Sequence, residues 1–273
     1  HPCRVEPHGV LVLDTGAGVR RDHLFGHAHP PELVVLVGGA REVQAPPLVV
    51  LERQAHRVPG LRGGDLDGDG DMDLAVAQFG YDDGETRWIE NRGDWNFKSH
   101  ILQSRSGPIH APIADLDADG DPDIAVLVSQ EWEEIYVFEN DGKGHFQPRQ
   151  IFASDNQDYG SSGMWIVDLD QDGDLDVLYT NGDAFDYLPP HPWPWHSVQW
   201  LENLGGLKFQ HRHIEQFGGV VNARAADFDG DGDLDVIATS AFNAWENPQS
   251  QSMIYLENNG KMQFRRRDVT NAP

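Results

Sequence analysis

The chain has 273 residues, with 45 Asp or Glu against 20 Lys or Arg, and a formal net charge of -25. So acidic a chain is not expected to bind nucleic acid, and no apolar run approaches the roughly 18 residues that a membrane span needs. The single cysteine, Cys3, permits no internal disulfide and sits in no haem-attachment motif. It reads as a free thiol, with an anchoring or intermolecular role as the alternative. With neither an initiator Met nor a signal-like segment, the chain reads as processed or partial.

In chain order, residues 1–62 hold two apolar runs, Val10–Asp14 and Leu33–Val37, expected as inner strands. The stretch 48–57 is expected to add outer strands. From residue 63 onward a denser pattern takes over. Asp65-Leu-Asp-Gly-Asp-Gly-Asp-Met-Asp73 is rewritten at 115–123, 168–176 and 227–235, so the repeats begin 50, 53 and 59 residues apart. The candidate metal ligands are Asp65, Asp67, Asp69, Asp71 and Asp73; Asp115, Asp117, Asp119, Asp121 and Asp123; Asp168, Asp170, Asp172, Asp174 and Asp176; and Asp227, Asp229, Asp231, Asp233 and Asp235. Five carboxylates in nine residues repel one another unless a cation neutralises them. A hard ion bound by positions 1, 3, 5 and 9, with the backbone carbonyl of position 7, does so, and calcium fits this oxygen-only set. Gly70, Gly120, Gly173 and Gly232 at position 6 permit the tight left-handed turn. Four calcium ions would bring the net charge from -25 to -17.

An EF-hand requires a Glu at position 12, but that position holds Val76, Val126, Tyr179 and Ala238. Short apolar runs follow each loop instead and read as buried strands. Each unit then carries a Glu-Asn-x-Gly stretch (Glu90-Asn91, Glu139-Asn140, Glu202-Asn203, Glu257-Asn258) that reads as a hairpin turned by Asn and Gly. About four short strands per 50–59 residues and no convincing helix is the arithmetic of β-propeller blades. The expected fold is all-β: a single propeller domain over 1–273 of about five four-stranded blades. The first, 1–62, is degenerate and metal-free, and the metal-loop repeats start near 63, 113, 166 and 225.

The repeats differ most after the post-loop strand, where 181–198 and 240–252 are lengthened. The first of these carries Tyr187, Trp193, Trp195 and His196 on a proline-stiffened segment, and these four are the candidate partner-binding residues. Packing against a neighbouring blade is the competing reading. His110, Trp165 and Asn222, just ahead of three loops, are expected near the central channel as a pocket or as packing at the strand starts. No catalytic motif is present.

The repeated Asp-x-Asp-x-Asp-Gly-x-x-Asp followed by an apolar strand resembles the FG-GAP/VCBS repeat family, which includes integrin α-subunit propellers and many secreted bacterial proteins. The resemblance covers 63–273 strongly and 1–62 weakly. It implies propeller blades with calcium held between the first two strands of each, and an extracytoplasmic (secreted or periplasmic) location. Five repeats depart from the seven-bladed integrin arrangement. The leading functional reading is a non-enzymatic, calcium-stabilised module that binds a protein partner, such as an extrinsic subunit of an envelope or membrane complex. The alternatives are a lectin-like carbohydrate binder and a polysaccharide lyase-type enzyme; the acidic loops suit a lyase poorly.

Overall fold

The computed structural model describes residues 10–14, 33–37 and 57–270, apart from 131, 186 and 187. Each run that follows an Asp loop is the second strand of an antiparallel sheet, and four such sheets succeed one another. Blade I comprises β3 (Arg57–Gly64), β4 (Asp73–Phe79), β5 (Glu85–Asn91) and β6 (Phe97–Ser104). Blade II comprises β7 (Pro108–His110), β8 (Ile113–Ala114), β9 (Asp123–Val128), β10 (Glu134–Asn140) and β11 (Phe146–Ala153). Its inner strand is split around Pro112, which has no N–H for the ladder; the Pro112 carbonyl still accepts from Ala125 N–H at 3.0 Å. Blade III comprises β12 (Ser161–Val167), β13 (Asp176–Asn181), β14 (Ser197–Asn203) and β15 (Phe209–Gln216). Blade IV comprises β16 (Val220–Ala226), β17 (Asp235–Ser240), β18 (Met253–Asn258) and β19 (Phe264–Thr270).

The second strands explain the stacking. All six residues of β9 are buried, and its alternate side chains serve opposite neighbours. Ile124, Val126 and Val128 join Ala75, Ala77 and Trp88 of blade I, while Ala125 and Leu127 join Met164, Val177 and Tyr179 of blade III. A strand buried on both faces reads as a continuous apolar run because each parity of residue has its own core to fill. A third core joins blades III and IV through Leu178, Trp200, Val236 and Leu256. Position 2 of the loops seals these boundaries: Leu66, Leu116 and Leu169 are fully buried. The equivalent Phe228, with no blade following it among the described residues, is 48% exposed. Outer strands such as β11 are mostly exposed and rich in Arg, Gln and His, which keeps the sheet edge from pairing with another chain.

Face-to-face stacking of successive four-stranded sheets, inner strand beside inner strand, is the β-propeller architecture expected above. The Asp loop joins the first strand to the second, so each blade begins before its loop, at 57, 108, 161 and 220. Residues 57–62 therefore belong to blade I and not to the degenerate repeat. Within that repeat, β1 (Val10–Asp14) pairs antiparallel with β2 (Leu33–Val37); the expected strands at 48–56, and Cys3, lie outside the described residues. No described helix is long and apolar enough to cross a membrane.

Candidate functional site

The four loops fold alike because their carboxylates cap their own backbone. In the first, Asp65 accepts from the N–H groups of Gly68 (2.8 Å) and Gly70 (2.9 Å), and Asp69 accepts from Asp71 N–H at 2.8 Å. The position-6 glycines have φ of +89°, +98°, +103° and +99°, beyond the left-handed basin that L residues tolerate. The position-9 aspartates are buried completely. Each binds the N–H of position 2 and reaches across to the hairpin: Asp73 to Asn91 N–H (2.7 Å), Asp123 to Asn140 (2.9 Å), Asp176 to Asn203 (2.8 Å) and Asp235 to Asn258 (2.8 Å).

Positions 1, 3 and 9 converge. Asp65/Asp67/Asp73, Asp115/Asp117/Asp123, Asp168/Asp170/Asp176 and Asp227/Asp229/Asp235 each place one carboxylate oxygen apiece within 4.8 Å of the others. Four such clusters could hold metal ions. Burial raises the carboxyls of Asp123 and Asp176 to about 6, against two backbone N–H bonds apiece, and neighbouring loop carboxylates add to the rise. Asp115 Oδ1 is buried with no hydrogen-bond partner. A cation in the cluster answers both costs, so the donors fit a hard divalent ion. The position-5 carboxylates lie beside those of position 3, whose carboxyls they help to raise, and they also cap the loop backbone. Asp69, Asp119, Asp172 and Asp231 accept from the N–H of position 7. The position-7 side chains aim at the hairpin glycine: a Cβ on Gly142 would sit 2.3 Å from Asp121 Oδ1, and one on Gly260 2.5 Å from Asp233 Oδ2.

The hairpin asparagine does more than turn the chain, a role that local sequence reading missed. Asn140 Nδ2 donates to Pro122 O in its own blade (3.0 Å) and to Leu66 O in the preceding metal loop (2.8 Å). Asn203 repeats this with Leu175 O (3.1 Å) and Leu116 O (2.8 Å). One side chain thus bolts two blades together at the metal loops.

The connections between second and third strands lie at the opposite end of the blades. There the structure corrects the expectation for one residue of 181–198. His196 is fully buried, its Nδ1 accepting from Gly219 N–H (3.0 Å) and Trp193 N–H (3.2 Å). Burial lowers its pKa to about 4, so it stays a neutral tie inside the loop and presents nothing to a partner. Trp193 and Trp195 are half-buried and stacked on each other with centroids 4.8 Å apart, and Trp195 Nε1 donates to Asp158 O at 2.8 Å. Tyr187 lies outside the described residues. The exposed large residues of this end are others: Tyr81 (64%), Trp132 (47%), Phe185 (72%) and Leu188 (95%). All four sit at connections between second and third strands, where single apolar residues give no periodic signal. Of the expected channel set, His110 and Asn222 share one level of the inner strands and Trp165 lies at the next.

Fold and site together define a propeller with repeated Asp-rich loops between the first and second strands. The FG-GAP-like repeat model matches residues 65–126 and 115–179. No curated relative matches the sequence. Among solved structures the chain is similar to Bombyx mori GH32 beta-fructofuranosidase BmSUC1, at 12% identity and a TM-score of 0.43, over 95% of this chain. It spans 60% of the length of that protein.

Proposed function

We propose that this chain is a calcium-stabilised, extracytoplasmic propeller module that binds a protein partner through the loop face opposite its metal loops and has no catalytic role of its own. The observation that carries the partner reading is the gathering of Tyr81, Trp132, Phe185 and Leu188 at that face, beside the longest departures from the repeat. Exposed aromatics are costly in water and are favoured anchors at interfaces. Calcium is supported by four convergent carboxylate triads made only of oxygen donors. The carboxylate of position 5 and the carbonyl of position 7 are the other oxygens such a loop can lend. Sites of this kind fill where calcium approaches millimolar, which supports an extracytoplasmic location and an envelope or membrane complex as the setting.

The test is capture of partners from a native envelope fraction by the wild-type chain and by W132A/F185A. Loss of specific capture, with the melting temperature unchanged, supports the reading. Undiminished capture removes the loop face from it. Specific retention on a glycan array in place of protein capture would replace it with the lectin-like reading, and product release from acidic polysaccharides with the lyase.

A further inference from the structure

Counting from the position-9 aspartates aligns the inner strands level by level. Ala75, Leu178 and Ile237, each two residues beyond that aspartate, pair with Arg62, Trp165 and Arg224. Ala77, Leu127, Thr180 and Thr239, four beyond, pair with Gly60, His110, Gly163 and Asn222. Blades I, III and IV therefore bring two arginines and a tryptophan to one level of the axial strands, with His110 and Asn222 one level farther from the metal loops.

The Arg224 guanidinium lies 5.2 Å from the centroid of the Trp165 ring across the boundary between blades III and IV. It donates to Asn222 Oδ1 and to Ala223 O (2.7 Å), and Arg62 donates to Leu61 O at 2.8 Å. Those partners are neutral. Arg87, Arg92, Arg105, Arg149, Arg212, Arg266 and Arg267 all pair with carboxylates; among the described residues, Arg62 and Arg224 on the inner strands, and Arg265 on an outer strand, pair with none. The charges that Arg224 and His110 feel are positive. Burial and then Arg62 lower the pKa of Arg224, and burial together with both arginines lowers that of His110. A chain of net charge -25 thus gathers unneutralised guanidinium groups at its axis.

We propose that Arg62 and Arg224, backed by Trp165 and Asn222, form a site for a small oxyanion, a carboxylate or a sulfate group, at the channel formed by the inner strands. Guanidinium forks match planar oxyanions bidentately and are desolvated more readily than an ammonium. Trp165 and Asn222 fix the Arg224 fork in advance, so little side-chain freedom is lost on binding. Bringing two like charges together without a counter-charge is unfavourable for folding alone, and a bound anion turns that cost into affinity. The site is separate from the loop face and does not depend on a protein partner binding there.

The experiment is titration calorimetry of the full chain at saturating calcium and constant chloride, first with succinate and then with sulfate, neither of which strips calcium as citrate would. Saturable binding of succinate alone assigns a carboxylate ligand, of sulfate alone a sulfate ligand, and of both a site that reads oxyanion charge. R62Q, whose guanidinium bonds only its own strand's backbone among the described residues, should weaken binding about tenfold or more without changing the melting temperature. R224Q should do the same and alter the Trp165 environment seen in the indole N–H resonance. No saturable binding up to about 10 mM, a millimolar limit below which an anion site has little meaning, overturns the proposal. So does affinity that is unchanged in both variants.

Discussion

Position 4 of the metal loop holds glycine in two repeats and position 6 in all four, and their backbones differ accordingly. Ala118 and Gln171 at position 4 adopt φ of +61°, inside the left-handed basin, whereas Gly120 and Gly173 at position 6 lie at +98° and +103°. No atom stands within 4 Å of a Cβ built on Gly173, so conformation alone excludes a side chain there. Gly173→Ala should cost about 1–2 kcal/mol in denaturant unfolding. Ala118→Gly should shift stability by less than about 1 kcal/mol, because relief of left-handed strain is offset by added freedom of the unfolded chain. Equal costs for the two substitutions would contradict this account.

Between elements, the Glu-Asn pair of the hairpin has two separate tasks. The glutamate bridges to the outer strand at a fixed offset of ten: Glu90 to His100 (2.6 Å), Glu139 to Arg149 (2.8 Å), Glu202 to Arg212 (2.8 Å) and Glu257 to Arg267 (2.6 Å). Partly exposed pairs of this kind contribute about 1 kcal/mol or less. The asparagine matters more, because it satisfies buried carbonyls of two blades. Asn140→Ala and Asn203→Ala each leave two carbonyls without their donor and should cost about 2–4 kcal/mol in urea unfolding. Asn91→Ala should cost about 1 kcal/mol, since among the described residues the Asn91 side chain donates to Met72 O of its own blade alone, at 3.2 Å. A second boundary feature responds to pH. Glu133, buried at the junction of blades II and III, accepts from Ser161 N–H at 2.9 Å, and burial raises its carboxyl to about 7 from an ordinary 4.5. A carboxyl with a raised pKa binds its proton more tightly folded than unfolded. Its contribution is therefore complete below about 4.5 and is lost as pH climbs toward 7. Glu133→Gln, which keeps the acceptor, should raise the melting temperature at pH 7.5, by an effect on the order of 2–3 kcal/mol, and leave it unchanged at pH 4.5. Equal shifts at both pH values would show that the carboxyl's charge is not the cause.

At the scale of the molecule, the four triads lie at one end of successive blades, and the same loops carry the leucines that seal three blade boundaries. Ion binding and blade packing are thereby coupled. If calcium occupies the loops of the native state only, each site at a hundred times its Kd adds about 2.7 kcal/mol. Removal by EDTA should lower the melting temperature markedly, and excess calcium should restore it, whereas magnesium, which demands rigid octahedral geometry, should restore little. An identical melting curve with and without chelator would remove the structural role assigned to the ions.

What the sequence determined by itself was whatever repeats locally. The Asp spacing and its glycine set the loops, the apolar runs set the second strands, and Asn-x-Gly set the hairpins, because in each case nearest-neighbour sterics and period-2 alternation decide the outcome. The repeat spacing then gave the propeller. The tertiary structure decided everything that depends on which repeat lies beside which. It aimed the position-7 aspartates at the hairpin glycines, made Asn140 and Asn203 bolts between blades, and buried His196. It half-buried the stacked Trp193 and Trp195 and left Tyr81, Trp132, Phe185 and Leu188 as the exposed large apolar side chains of that end. It also set Arg62 and Arg224, 162 residues apart in sequence, at one level of the inner strands, a placement that no local pattern encodes because it depends on how each inner strand registers against its own second strand.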